Sequence, residues 1–201
     1  MIHPKQLIPL LALFLACAVS TQAATITFGE LPSQAVNGLT FQNVSFGFTV
    51  SGLPSVDATY NSTAIGTNTT LNLQSPTLEG NANGLLTLNF AQPLSDLSFD
   101  LARLTSLTLT GATVALFDSS LTQFATTPVS VTNLVTFSEG HFAYVGGTAV
   151  KRAVLSFPSN AGPRFAIDNL GYTIAPVPEP GTALFGVLLM TACASVRTRR
   201  R

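Results

Sequence analysis

The side chains that could carry catalytic or metal chemistry are few in this chain of 201 residues. Outside the two apolar ends it has one histidine, His141, and no cysteine, because His3, Cys17 and Cys193 all lie in those ends. A zinc site needs three or four histidine or cysteine ligands, so the central region cannot build one. A Ser-His-Asp site could use His141, but no Gly-x-Ser-x-Gly elbow accompanies it. Its place at a predicted strand start favours an exposed structural histidine.

Carboxylates are the remaining reactive groups. Asp96 and Asp100 lie four residues apart on one predicted strand, which places them about 13 Å apart, too far for the acid pair of a retaining glycosidase. Asp168 and Asn169 could supply oxygen ligands to calcium. The alternative is that Asp168 caps a turn or faces solvent. We favour that alternative because the sequence has no Asp-rich calcium loop.

Sugar binding usually requires an aromatic face, and this chain has no tryptophan. Of the three tyrosines, Tyr60 lies in the long irregular stretch 51–84, which is rich in Thr, Asn, Ser and Gly and predicts loops and exposed edge strands. Tyr60 is therefore the candidate platform for a sugar ring, with packing inside its own loop as the alternative.

The elements that must position these residues read as β-strands. Runs such as LLTLNF (85–90) and LSDLSFDL (94–101) alternate apolar and polar residues, and Pro93 between them indicates a turn. About ten such runs, separated by Gly, Asn, Pro and Ser, predict an all-β domain over residues 25–176. We expect a two-sheet antiparallel sandwich of the jelly-roll or lectin-like kind.

The N-terminal segment 1–24 has the organisation of a secretory signal peptide. Lys5 precedes an apolar run from Leu7 to Val19, and small residues follow as far as Ala24. The run is shorter than the ~20 residues that span a bilayer. We predict cleavage after Ala23 or Ala24.

The C-terminal segment 177–201 predicts a membrane anchor. Residues 181–196 carry no charge and predict a transmembrane helix, slightly short for a bilayer core of ~30 Å. A basic cluster follows, which the positive-inside rule places in the cytoplasm. It consists of Arg197, Arg199, Arg200 and Arg201.

The same segment resembles the PEP-CTERM sorting signal of Gram-negative bacteria. Its parts are the tripeptide Pro178-Glu179-Pro180, the apolar helix and the terminal arginines, in that order. The resemblance implies that an exosortase recognises the tripeptide, cuts nearby and passes the protein from an inner-membrane intermediate to the cell surface or extracellular matrix. The run RFAIDNLGYTI (164–174) is similar to the closing strand of many exported PEP-CTERM proteins, which implies a jelly-roll-like module.

Charge and composition complete the functional prediction. Residues 25–176 contain eight acidic and four basic side chains, so the domain has no electrostatic footprint for nucleic acid. We predict a non-catalytic exported protein whose partners are the export machinery, an exosortase, the inner membrane and extracellular polysaccharide. The alternatives are a polysaccharide- or calcium-binding module and, third, a secreted hydrolase. No cofactor is predicted apart from calcium in the second reading.

Overall fold

Strands occupy most of residues 22–176, which are the part of the chain that the computed structural model describes. This part contains twelve β-strands, one 3-10 turn at Ser159–Ala161 and no α-helix. The predicted signal peptide, transmembrane helix, sorting tripeptide and arginine cluster lie outside the described residues. The strands are β1 (Ala23–Ile26), β2 (Gln34–Ala35), β3 (Thr40–Phe41), β4 (Val44–Val50), β5 (Leu53–Pro54), β6 (Thr59–Ser62), β7 (Thr77–Asn81), β8 (Gly84–Arg103), β9 (Leu109–Phe117), β10 (Gln123–Asn133), β11 (Ser138–Ser156) and β12 (Arg164–Ile174).

All pairings between these strands are antiparallel, and they join into one continuous sheet. The long strands β8 and β11 make this continuity. The first part of β8 pairs with β4 and its last part with β12, while β11 follows β8 along both parts. The prediction of an all-β antiparallel domain is confirmed, and the two predicted sheets are connected through these two strands.

Pro93 marks a bend in β8 and does not end the strand, which corrects the predicted turn. No ladder pairing includes residues 91–93, and β11 has its own irregularity between Val145 and Val150. Proline has no N–H to donate to a ladder, so a bulge where pairing lapses is a suitable place for it. The two runs that flank Pro93 in the sequence therefore belong to one strand.

The sheet bends back so that its two portions face each other across one core. The Phe48 ring of β4 lies 6.0 Å from the Phe165 ring of β12, although those strands do not pair. Phe90 of β8 lies 6.3 Å from Tyr172 of β12 in the same way. The alternating burial of β4 shows how the sequence builds this core, since every second residue from Val44 points inward.

A loop covers part of the outer face of the sheet and makes a second, smaller apolar cluster. Loop 63–76 connects β6 to β7, and its Ile65 and Leu73 are buried against Ala102 and Ala166. Small residues on the strands leave room for the loop to lie close to the sheet. This loop, which the sequence predicted only as irregular, forms one wall of the site described below.

The first and last strands pair, which brings the two ends of the described chain together. Ala23 lies opposite Thr173, and the Ile174 N–H donates to the Gln22 carbonyl. Thr21–Ala175 form one compact unit. Strand β1 includes Ala23 and Ala24, the two positions after which cleavage is predicted. In residues 22–176, no helix has the length and apolar character needed to cross a membrane.

Candidate functional site

Three buried carboxylates fix the backbone of loop 63–76. Four N–H groups of the loop donate hydrogen bonds of 2.7 to 2.9 Å to these side chains. A carboxylate that accepts backbone N–H groups forms charge-assisted bonds, which are stronger than bonds between neutral groups. The bonds run from Ile65 to Glu79, from Leu71 and Asn72 to Glu139, and from Gln74 to Asp168.

Sheet register explains why these acids gather on one face. Glu139, Ala102, Ala166 and Glu79 lie opposite one another across β11, β8, β12 and β7. Asp168 lies two residues beyond Ala166 on β12, and residues two apart on a strand share a face. Strands that are distant in the sequence therefore present their carboxylates together to the loop.

An open cleft of about 330 Å³ lies at the end of this loop. Residues that follow β1 form one side, the last part of the loop forms the other, and two residues of β12 form the floor. The lining residues are Thr27, Gly29, Asn72, Gln74, Ser75, Pro76, Asp168 and Asn169. The lining is mostly polar, and its only proline contributes an apolar surface.

Asp168 forms part of the floor and is only 3% exposed. Its Oδ2 accepts the N–H of Gln74 at 2.9 Å, and its Oδ1 accepts the N–H of Asn169 at 2.7 Å. Burial raises the pKa of Asp168 to about 6; the two backbone N–H donors oppose this rise, and the negative charges of Asp100 and Glu30 add to it. The carboxyl therefore titrates nearer to neutral pH than an ordinary aspartate.

Asn169 connects the floor of the cleft to its wall and to β8. Its backbone has a positive φ of 52°, a conformation that asparagine adopts more readily than most residues. The side-chain Nδ2 donates to Asp100 Oδ2 at 2.8 Å and to the Asn72 carbonyl at 3.3 Å. One amide group thus bridges the sheet and the loop.

His141 joins the same network from the open side of the sheet. It lies opposite Asp100 in the ladder, and its Nδ1 is 2.8 Å from Asp100 Oδ1. The imidazole is 59% exposed, whereas Asp100 is 17% exposed. The sequence raised His141, Asp100, Asp168 and Asn169 separately, and the structure brings all four into one network. Asp96 is not part of it, and accepts a hydrogen bond from Ser95 instead.

Tyr60 is not available as a sugar platform, contrary to the prediction. It belongs to strand β6, it is fully buried, and its ring packs edge-on against Phe28. The hydroxyl donates to Glu30 Oε2 at 2.6 Å. Burial and this carboxylate raise the pKa of Tyr60. Burial also pushes the pKa of Glu30 upward, but the bonds from Tyr60 and Thr27 outweigh it and hold that pKa below its ordinary value. The alternative reading, packing within the fold, applies.

The predicted calcium ligands Asp168 and Asn169 are adjacent to the cleft, but their oxygen-rich surroundings are limited. Both Asp168 oxygens already accept backbone N–H groups. Within residues 22–176, no three side chains of His, Cys, Asp or Glu come together in a way that could hold a metal ion. Any calcium bound here would depend on amide and carbonyl oxygens of the cleft for most of its ligands.

The groups that sequence reasoning missed are the side chains of Asn72 and Gln74. Both are exposed in the cleft, and neither side-chain amide bonds to another residue of the described range 22–176. Their backbone N–H groups are the ones held by Glu139 and Asp168. The only sequence signal was the polar composition of stretch 51–84, which does not distinguish these two amides from the other polar residues there.

Comparisons with known proteins give distant structural likenesses only. No model of a protein family and no curated protein matches the chain. A family 29 carbohydrate binding module from Piromyces equi aligns with a TM-score of 0.43 and 10% identity, over 78% of this chain and 93% of that one. The adhesin domain of Lys-gingipain from Porphyromonas gingivalis aligns with a TM-score of 0.45 and 10% identity, over 77% and 99%. Likeness at this level does not establish a shared family or a shared ligand.

Proposed function

We propose that this protein is a non-catalytic exported protein whose domain binds polysaccharide in the cleft. One observation carries the binding proposal: the exposed amides of Asn72 and Gln74 project from a backbone that buried carboxylates hold in place. Each amide offers donors and an acceptor, and neighbouring sugar hydroxyls need both. Because the backbone of the wall is already fixed, less conformational freedom is lost when a ligand binds.

The charges around the cleft favour a neutral polysaccharide. Asp168 and Asp100 are acidic, and the nearby base is His141, whose imidazole is already bonded to Asp100. None of the four basic side chains of residues 25–176 lines the cleft. A polyuronate would therefore meet like charges, which disfavours binding.

The test is calorimetric titration and thermal melting of the full-length protein with soluble neutral polysaccharides, a polyuronate, and calcium alone. A ligand that binds the folded state raises the melting temperature. We expect a neutral polymer to bind and the double variant Asn72→Ala/Gln74→Ala to weaken its affinity at least tenfold, since each lost hydrogen bond contributes about 0.5–1.5 kcal/mol. The matched control is Asn83→Ala/Gln92→Ala, which removes two exposed amides outside the cleft. Absence of binding to every polysaccharide would refute the proposal, and a shift with calcium alone would favour the calcium-binding alternative.

The sorting half of the proposal depends on the sequence of residues 177–201. We propose that Pro178-Glu179-Pro180 directs the protein to an exosortase, with the apolar helix and arginines as a temporary inner-membrane anchor. Replacing the three residues by alanine in the native host should leave an unprocessed protein in the membrane fraction, as read by intact mass and fractionation. Unchanged processing and localisation would contradict this half alone.

A further inference from the structure

A second cavity lies on the loop-covered face, about 60 Å³ in volume, between the start of loop 63–76 and strands β7, β8 and β12. Most of its wall is apolar and includes Ile65, Ala102, Phe137 and Ala166. Two charged residues also line it, Glu79 and Arg164. This Glu79 cavity does not share a lining residue with the cleft.

The carboxylate in this cavity is buried with half of its hydrogen-bonding capacity unused. Glu79 is 2% exposed, and its Oε1 accepts the Ile65 N–H at 2.7 Å and lies 3.5 Å from the Thr77 hydroxyl. Among residues 22–176 no group donates a hydrogen bond to Oε2. The nearest cation is Arg164, whose Nη2 is 3.6 Å away and whose side chain is 42% exposed. Buried carboxylate oxygens nearly always have a donor, so one is expected from outside the domain.

The chemistry of the cavity selects the group that would supply this donor. A hydroxyl can donate to Glu79 Oε2 and accept from Arg164 at the same time. An anion would be repelled by Glu79, and a bare ammonium would find no use for Arg164. The apolar walls suit a carbon atom that carries the hydroxyl. The volume is about that of two water molecules, which limits the group to a few heavy atoms.

We propose that the Glu79 cavity binds a primary alcohol group, of the kind that a hexose carries on its exocyclic carbon. This site is independent of polysaccharide binding in the cleft. A group of this size contacts few atoms, so the dissociation constant of a small alcohol or simple glycoside should lie in roughly the millimolar range.

The experiment is saturation-transfer NMR on the full-length protein in detergent, with methyl glucoside and its 6-deoxy analogue as matched ligands. We expect the two protons on C6 of methyl glucoside to receive the strongest saturation and the 6-deoxy analogue to bind at least tenfold more weakly. Glycerol serves as a competitor: displacement of the glucoside identifies a site for small polyols, and failure to displace it identifies a site for hexoses. Both results support an alcohol site.

Variants locate the signal in the cavity. Glu79→Gln removes the charged acceptor, and Ala102→Val fills the cavity without touching Glu79, so the second variant keeps the test valid if the first fails to fold. Both should lower affinity at least tenfold. Ala143→Val makes the same change on an exposed position of β11 and should leave affinity within twofold.

Three results would overturn the proposal: equal binding of the 6-deoxy analogue, full binding in a folded Ala102→Val variant, or no saturation transfer at 100-fold excess, which would mean that the cavity holds water only. The variant Asn72→Ala/Gln74→Ala should retain alcohol binding, which separates failure of this site from failure of the cleft.

Discussion

Replacing Asp168 by asparagine should stabilise the domain at pH 7.5, although it removes a charged group that accepts two backbone hydrogen bonds. The carboxyl is almost fully buried, and its pKa is raised to about 6 from an ordinary value of 3.8. At pH 7.5 the folded protein must therefore hold a desolvated charge. Asparagine has the shape of the protonated acid, and its one oxygen still accepts one of the two N–H groups.

The sign and size of the effect follow from proton linkage. Between pH 4 and pH 6 the folded state holds a proton on Asp168 that the unfolded chain releases, so this carboxyl contributes stability that is fully present below about pH 4. That contribution is lost as the pH rises through 6. The shift is about two pKa units, and each unit corresponds to about 1.4 kcal/mol, which gives about 3 kcal/mol as the upper value.

The assay is urea unfolding of wild type and Asp168→Asn at pH values from 4 to 8. Taking the difference between the two proteins cancels the titration of groups common to both. We expect similar stability at pH 4 and an advantage for Asp168→Asn that grows to as much as about 3 kcal/mol at pH 7.5. Asp118→Asn is the matched control, because Asp118 also accepts two backbone N–H groups, from Ser120 and Thr122, in an exposed turn.

The reasoning fails if Asp168→Asn loses stability relative to wild type as the pH rises from 4 to 7.5. That result would mean that the bonds from Gln74 and Asn169 favour the charged form by more than burial disfavours it. The pKa of Asp168 would then lie below its ordinary value, and the floor of the cleft would carry a full charge throughout this range.

Two further predictions concern the core. Arg103 is fully buried, its pKa is lowered to about 10 by burial, and its guanidinium donates four hydrogen bonds to carbonyls of residues 111, 158, 161 and 162. Arg103→Met should lower the free energy of unfolding by at least about 3 kcal/mol in urea titrations, because those carbonyls lose their donors, and a loss under 1 kcal/mol would contradict this. A Cβ at Gly84 would overlap the ring of Phe48. Gly84→Ala should therefore destabilise by roughly 1–3 kcal/mol, whereas Gly47→Ala, with its nearest contact at 3.6 Å, should not; equal melting temperatures would refute the comparison.

Strand positions could be predicted from the sequence where one face of a strand is buried and the other is not. The predicted runs at 44–50 and 164–174 coincide with β4 and β12. Alternation is a local property, and the core enforces it residue by residue. The pattern does not reveal strand length, because β8 and β11 each continue through a bend that reads as a break in the sequence.

The site could not be predicted because its members meet only through the ladder. Glu139 and Asn72 are 67 residues apart in the chain, and Asp168 and Gln74 are 94 apart. Nothing in the neighbourhood of these acids indicates that they accept backbone N–H groups from one distant loop. Tyr60 illustrates the converse: its surroundings in the sequence are polar, yet it belongs to the core because β6 pairs with β7.

The arrangement of the acids explains how a cleft wall without regular secondary structure can still present fixed side chains. A loop of 14 residues would lose much of its backbone freedom on binding a ligand if it were held only by its ends. Here Glu79, Glu139 and Asp168 hold it at its beginning, middle and end. Burial of these carboxylates opposes folding, as the raised pKa of Asp168 indicates. A domain under selection for stability alone would not require three of them beneath one loop, whereas a binding surface gains from a wall that is already ordered.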